Sequence, residues 1–220
     1  MDISHINHLL AQEYGNREWH PHHDPLSELI ATILSQNTSD TNSRRAFTSL
    51  IESFSNWEEV ANSRVSAIEE AIRSGGLSRI KAARIKEILQ TIQKERGSLD
   101  LSFLDNLPLE ESKSWLRQLP GVGPKTVGCV LLFSLGKPVF PVDTHVFRVS
   151  KRLGLISNGV SAEQSHELLA GMVPLENVYE FHMNMVEHGR RTCKSQRPKC
   201  TACILRKVCP SNRLGGDIHR

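Results

Sequence analysis

Leu119 to Val149 reads LPGVGPKTVGCVLLFSLGKPVFPVDTHVFRV, and the punctuation of this stretch decides the fold. Pro120-Gly121-Val122-Gly123 separates one helical pattern, Glu110 to Gln118, from a second, Lys125 to Leu135, and glycine is the residue that enters such a turn without strain. The second helix of this hairpin presents N–H groups at its start that suit a phosphate oxygen, although an ordinary helical hairpin with a glycine turn has the same spacing. Lys125 stands in the first turn of that helix, where the helix dipole disfavours a cation; a solvated surface lysine is the plain alternative. Gly136 to Val142 forms a stiff connection that delivers Asp143 to the start of another helix, where it can act as an N-cap.

Outward from this segment the pattern is helix after helix, with no strand required. Ser4 to Tyr14 carries Ile6, Leu9 and Leu10 at helical spacing. Asp24-Pro25 reads as an N-cap with proline at the first helical position, opening a buried helix through Leu29, Ile30, Ile33 and Leu34. Asp40 is placed to cap the next, Trp57 to Ala61 makes a short one, and Val65 to Ser74 a fifth. Ser78 opens a long helix whose stripe is Ile80, Ala83, Ile85, Ile88, Leu89 and Ile92, with a basic face turned to water. Asp143 begins THVFRVSKRLGL, and helices near Ala162 to Met172 and Glu176 to His188 follow.

The 220 residues are 39% hydrophobic and only 5% aromatic, which disfavours a β-sandwich or barrel and suits an all-α chain. MDISHINHLL lacks the basic and apolar regions of a secretory signal, and Val127 to Leu135 is too short to cross a bilayer. A soluble intracellular protein is expected, with no membrane partner.

Cysteine usage is uneven: Cys129 sits alone in an apolar run, as a core residue, while Cys193-x6-Cys200-x2-Cys203-x5-Cys209 gathers four thiols in one loop. Such a set can hold a structural zinc or a [4Fe-4S] cluster, and the single CxxC with longer arms favours the cluster. Eight cations and no carboxylate lie between Arg190 and Arg213, among them Arg191, Lys194, Arg197 and Lys199; with the whole chain at +3, the remainder stands at −5. Part of this charge offsets an anionic cluster, and the rest reads as a phosphate-binding surface. His20, His22 and His23 read as a loop before Asp24, because no fourth ligand has metal spacing.

LSQNTSD at Leu34 to Asp40, GGLSRIKA at Gly75 to Ala82, LPGVGPKT, PVDTHVFRV, HGRRTC at His188 to Cys193 and the cysteine loop together resemble the endonuclease III family of helix-hairpin-helix, Gly/Pro-Asp DNA glycosylases. The resemblance spans nearly the whole chain. It implies two helical domains with a DNA-binding groove between them: a helical barrel over residues 22–134, with the hairpin at about 112–134, and an iron-sulfur domain built from 1–21 plus 135–220, with its cluster loop at 193–209. By the same resemblance Lys125 is the nucleophile, Asp143 the essential carboxylate, and the four spaced cysteines ligate a structural [4Fe-4S] cluster.

The implied activity is that of a bifunctional DNA glycosylase and abasic-site lyase acting on duplex DNA with a damaged, oxidised pyrimidine. Breaking an N-glycosidic bond builds positive charge on the sugar, which a fixed carboxylate stabilises. An amine attacking C1′ leaves a Schiff base that permits β-elimination. A free lysine, with a pKa near ~10.4, is protonated at neutral pH, so such an attack needs desolvation, the helix terminus and proton transfer to lower that value, with Asp143 as the candidate acceptor. A thymine or uracil mismatch glycosylase, and a non-catalytic iron-sulfur DNA-binding or sensing protein, are the competing readings. Base extraction needs a wedge, for which the resemblance points to Gln36 or Asn37 and to the loop from Leu77 to Lys81. Gly121, Val122, Gly123, Lys125, Thr126, Lys81, Arg190, Arg191, Lys194, Arg197 and Lys199 complete the expected DNA contacts. The expected protein is a monomer in the cytoplasm, nucleoid-associated in a bacterial or archaeal cell.

Overall fold

A computed structural model describes residues 2–213, without the side chain of Arg213, so that member of the basic run lies outside the described residues. Among the described residues the elements are helices: α1 Ile3–Tyr14, α2 Pro25–Ser35, α3 Asp40–Ser53, α4 Trp57–Asn62, α5 Val65–Ala71 and α6 Ser78–Arg96. These are followed by α7 Leu109–Arg117, α8 Pro124–Cys129, α9 Thr144–Leu153, α10 Ala162–Ala170, α11 Val178–Arg191 and α12 Pro210–Arg213. No strand occurs among these residues, and no helix is long and apolar enough to cross a membrane. The chain divides into two compact units, one of residues 21–137 and the other of residues 1–20 with 138–220.

The continuous unit is organised on α2. Asp24 caps it, its Oδ1 accepting from the amides of Leu26 at 3.1 Å and Ser27 at 3.0 Å, with Pro25 at the first position as the sequence indicates. Leu26, Leu29, Ile30, Ile33 and Leu34 are buried against α3, α6, α8 and the turn after α8. Three local expectations change. Ser39, not Asp40, caps α3, its hydroxyl accepting from Asn42 N at 3.3 Å, and Asp40 occupies the first turn, where its charge suits the dipole. The helix opening at Val65 ends at Ala71 and tightens into a 3₁₀ turn over Arg73–Gly75. α8 gives way to a π turn over Val130–Ser134 rather than continuing as regular helix.

The largest correction concerns α6. Ile80 is 56% exposed and Ala83 also faces water, whereas Lys81, expected on the wet face and against DNA, is 2% exposed. Its Nζ donates to the carbonyls of Leu34 at 2.7 Å and Gly75 at 2.8 Å. Leu34 lies in the last turn of α2, where carbonyls have no partner within the helix and the dipole is negative, so a buried ammonium is the natural cap. Lys81 is therefore a structural residue and is withdrawn as a phosphate contact.

The discontinuous unit is built on α11, which packs against α1 and α9. Ile6, Leu10, Val146, Val149, Phe181 and Met185 form its centre. Polar groups of α11 are satisfied by the N-terminal segment: Glu180 accepts from Asn7 Nδ2 at 3.1 Å and from Arg17 N at 3.2 Å, and Asn184 bonds Arg17 and the carbonyl of Gly15.

Replacing Lys81 by Met keeps the aliphatic stem and strands two buried carbonyls, so urea unfolding should show a loss of about 2–3 kcal/mol. The same change at exposed Arg79 should stay within about 0.5 kcal/mol.

Candidate functional site

The hairpin joins α7 to α8 through a turn in which Gly121 adopts φ 72°. A Cβ there would stand closer than 3.0 Å to the Arg84 side chain, which would have to shift, so the position requires glycine chiefly on conformational grounds. Arg84 Nη1 donates to Gln36 Oε1 at 3.1 Å, and Gln36 Nε2 donates to the Gly121 carbonyl at 3.3 Å. This triangle ties the SQNT turn to the hairpin. Gln36 is thereby tethered, while Asn37, at φ 53°, is exposed. Leu77 shares that character, 53% exposed at φ 51°. An exposed apolar side chain on left-handed backbone is uncommon and carries a cost that packing alone does not explain.

Lys125 lies in the first turn of α8, half-buried, with Nζ donating to Ser35 Oγ on α2 at 3.4 Å. Val122 and Thr126 have buried side chains, which removes them as side-chain contacts to a ligand. Cys129 is buried in the core, and His22 and His23 form a loop in which His22 stacks on Phe133 with ring centroids 4.8 Å apart. In the other unit Asp143 is half-buried at the N-cap of α9, its Oδ1 accepting from Val146 N at 2.7 Å.

Cys193, Cys200, Cys203 and Cys209 line one cavity of about 990 Å³. Among the described residues no group of three or more Cys, His, Asp or Glu side chains converges as a single metal ion requires. Burial pushes the Cys203 thiol up to about 11, with the neighbouring thiols adding to the effect, and burial raises Cys209 as well. Ionised, Cys203 and Cys209 therefore require a cationic group to stabilise them. His188, depressed by burial to about 4, is neutral; its Nδ1 lies 2.9 Å from Tyr14 OH and its Nε2 lies 3.7 Å from Cys203 Sγ.

Sequence reading missed the arginines that hold this loop. Arg148 Nε donates to the Cys193 carbonyl at 3.0 Å and its Nη2 to the Gly189 carbonyl at 2.9 Å. Arg152 donates to Cys193 Sγ at 3.3 Å and to the carbonyls of Lys194 at 2.6 Å and Ser195 at 3.0 Å. Their i, i+4 spacing on α9 was the available signal, since it aims two guanidinium forks from one helix face. Gly189 permits the approach: a Cβ there would sit 2.7 Å from that of His145. Arg190, Arg191, Lys194, Arg197 and Lys199 are all exposed beside the loop.

Matched against known proteins, residues 30–174 fit the HhH-GPD superfamily of base excision DNA repair proteins. An Arabidopsis thaliana protein described as a DNA glycosylase is 43% identical over 181 residues, 81% of this chain and 62% of the relative, so the chain spans less than two thirds of that relative's length. Endonuclease III of Thermotoga maritima is 36% identical over 197 residues, 90% of this chain and 88% of the relative. A solved endonuclease III trapped as a covalent intermediate with DNA superposes with a TM-score of 0.82 at 29% identity, over 96% of each chain.

Alanine at Gly121 should lower the unfolding free energy by about 1–2 kcal/mol, the cost of a left-handed backbone carrying a side chain. Alanine at Gly123, whose backbone is extended and whose added Cβ meets nothing within 4 Å, should change it by less than about 0.5 kcal/mol in the same denaturation assay.

Proposed function

Because this chain belongs to the endonuclease III family of the HhH-GPD superfamily of base excision DNA repair proteins, we propose that it is a bifunctional DNA glycosylase and abasic-site lyase for damaged pyrimidines in duplex DNA. The observation that carries this reading is Lys125: the lysine of the LPGVGPKT hairpin, which the resemblance implies as the nucleophile, has its Nζ held by the Ser35 hydroxyl.

The free amine of Lys125 attacks C1′ of the damaged nucleotide. The N-glycosidic electron pair leaves with the base, and the carboxylate of Asp143 stabilises the cationic sugar as the bond breaks. Loss of the amine protons and ring opening give the Schiff base, removal of a C2′ proton expels the 3′ phosphate, and hydrolysis returns Lys125. Asp143 spends one oxygen on the α9 cap, which fixes its direction. Asn37, rather than the tethered Gln36, fills the gap left by the extracted base, and Leu77 enters from its own turn. The exposed run Arg190 to Lys199 meets the phosphates.

The cysteine loop fits a [4Fe-4S] cluster: its four thiols, at C-x6-C-x2-C-x5-C spacing, line one cavity. When bound, the cluster supplies a rigid cross-link for the loop; Cys193, Cys200, Cys203 and Cys209 hold it, and Arg148 and Arg152 set the backbone that presents them.

Borohydride reduction on a duplex with one abasic site should trap wild-type protein covalently, and Lys125→Ala should give no adduct. Asparagine caps a helix as well as aspartate does, so Asp143→Asn should retain stability and DNA binding while turnover falls by about 10²-fold or more. Purified protein should contain about four iron and four acid-labile sulfide per chain. Stoichiometric zinc without sulfide would contradict the cluster assignment.

A further inference from the structure

α2 carries a polar row that the chemistry above does not use. Glu28, Thr32 and Ser35 recur at i, i+4 and i+7 and so share one face of a helix whose other surfaces are buried leucines and isoleucines. Glu28 is 8% exposed, an uncommon place for a carboxyl group, and its Oε1 accepts from Thr32 Oγ1 at 3.3 Å. At the far end of the row, Ser35 Oγ is the atom that receives Lys125 Nζ. Burial raises the Glu28 carboxyl above the usual carboxylate range; His23, the Thr32 bond and Lys125 oppose this in that order, and Asp24 adds to it. The charged groups facing Glu28 are thus His23, Asp24 and Lys125, whereas Lys81 and Arg84 of α6 serve the opposite end of α2, on the Leu34 carbonyl and on Gln36.

We propose that Glu28 is a positioning residue for Lys125, the buried carboxylate that takes the proton the amine must shed before it attacks; this rests on Lys125 being the nucleophile. The carboxylate–ammonium and carboxyl–amine forms carry the same net charge, and a poorly solvated site favours the neutral one. The Ser35 hydroxyl rests on the Thr32 carbonyl at 2.8 Å; once it turns to the Thr32 hydroxyl, the proton leaves Nζ and ends on the Glu28 carboxylate, each hydroxyl accepting one proton and passing one on. No charge is created and none is exchanged with solvent. A pair that shares one proton holds a constant fraction of free amine between its two macroscopic pKa values. With glutamine at 28 the acceptor is gone, the amine must lose its proton to water, and the rate then follows pH.

The test is single-turnover trapping on an abasic duplex, from about pH 6 to about pH 9, for wild type, Glu28→Gln and Thr32→Val, with circular dichroism to verify folding. The wild-type rate should be flat within about twofold, and the E28Q rate should climb by about tenfold per pH unit toward the range of an ordinary lysine. Thr32→Val, which keeps the volume and removes the hydroxyl bonded to the carboxylate, should tilt in the same direction. A folded E28Q protein with the flat wild-type profile overturns the proposal, as does a wild-type rate that itself climbs tenfold per unit. If E28Q does not fold, a flat profile in T32V overturns it instead. A wild type that yields no adduct at any pH overturns the nucleophile, which is the separate reading given under the proposed function.

Discussion

Water reaches almost no side of α2, so every polar group that the helix carries must be answered by protein. That constraint organises the continuous unit. The carbonyl of Leu34 is answered by a lysine from α6, that of Thr32 by the Ser35 hydroxyl at 2.8 Å, and that of Ile33 by the amide of Gln36 at 3.2 Å. The side chain of Gln36 then reaches the hairpin turn, and Arg84 braces it from the same helix that supplies Lys81. The end of one buried helix thus fixes the SQNT turn, the glycine turn and the amine of Lys125 relative to one another. The placement of the proposed nucleophile within this unit follows from satisfying a helix terminus.

The cysteine loop depends on a related arrangement in the other unit. Loops without regular structure have backbone carbonyls to satisfy, and this one has several that converge on two arginines of a single helix. Because each guanidinium has several donors in one plane, a few side chains replace a secondary-structure ladder. The same α9 begins with Asp143, so one short helix carries the candidate carboxylate at its start and the brace for the cysteines along its length.

What could be read from the sequence was what is local. The Asp24-Pro25 start of α2, the hairpin glycines and the Asp143 cap each declare themselves within four residues, because capping and turn chemistry act over that span. The cysteine spacing is equally local. The phase of α6 was not legible: Leu77 enters the helix from left-handed backbone, and the buried position is claimed by Lys81 because a carbonyl 47 residues away needs a donor. Hydrophobic periodicity has no term for such a partner, and it placed Ile80 and Ala83 inward. The tethering of Gln36 was hidden for the same reason, since it depends on Arg84 and Gly121, both distant in sequence.

The division of the chain has a consequence for its synthesis. Residues 21–137 are contiguous, so their core can close as they leave the ribosome, whereas α1 packs against α11, more than 160 residues later. At about 5–20 residues per second the N-terminal helix waits on the order of ten seconds for its partner, with Ile6 and Leu10 uncovered during that time. Of the described helices, α1 emerges first and is among the last to be buried. The capture of Arg17 and Asn7 by Glu180 is then a closing step, in which α11 retrieves α1 and the segment that follows it.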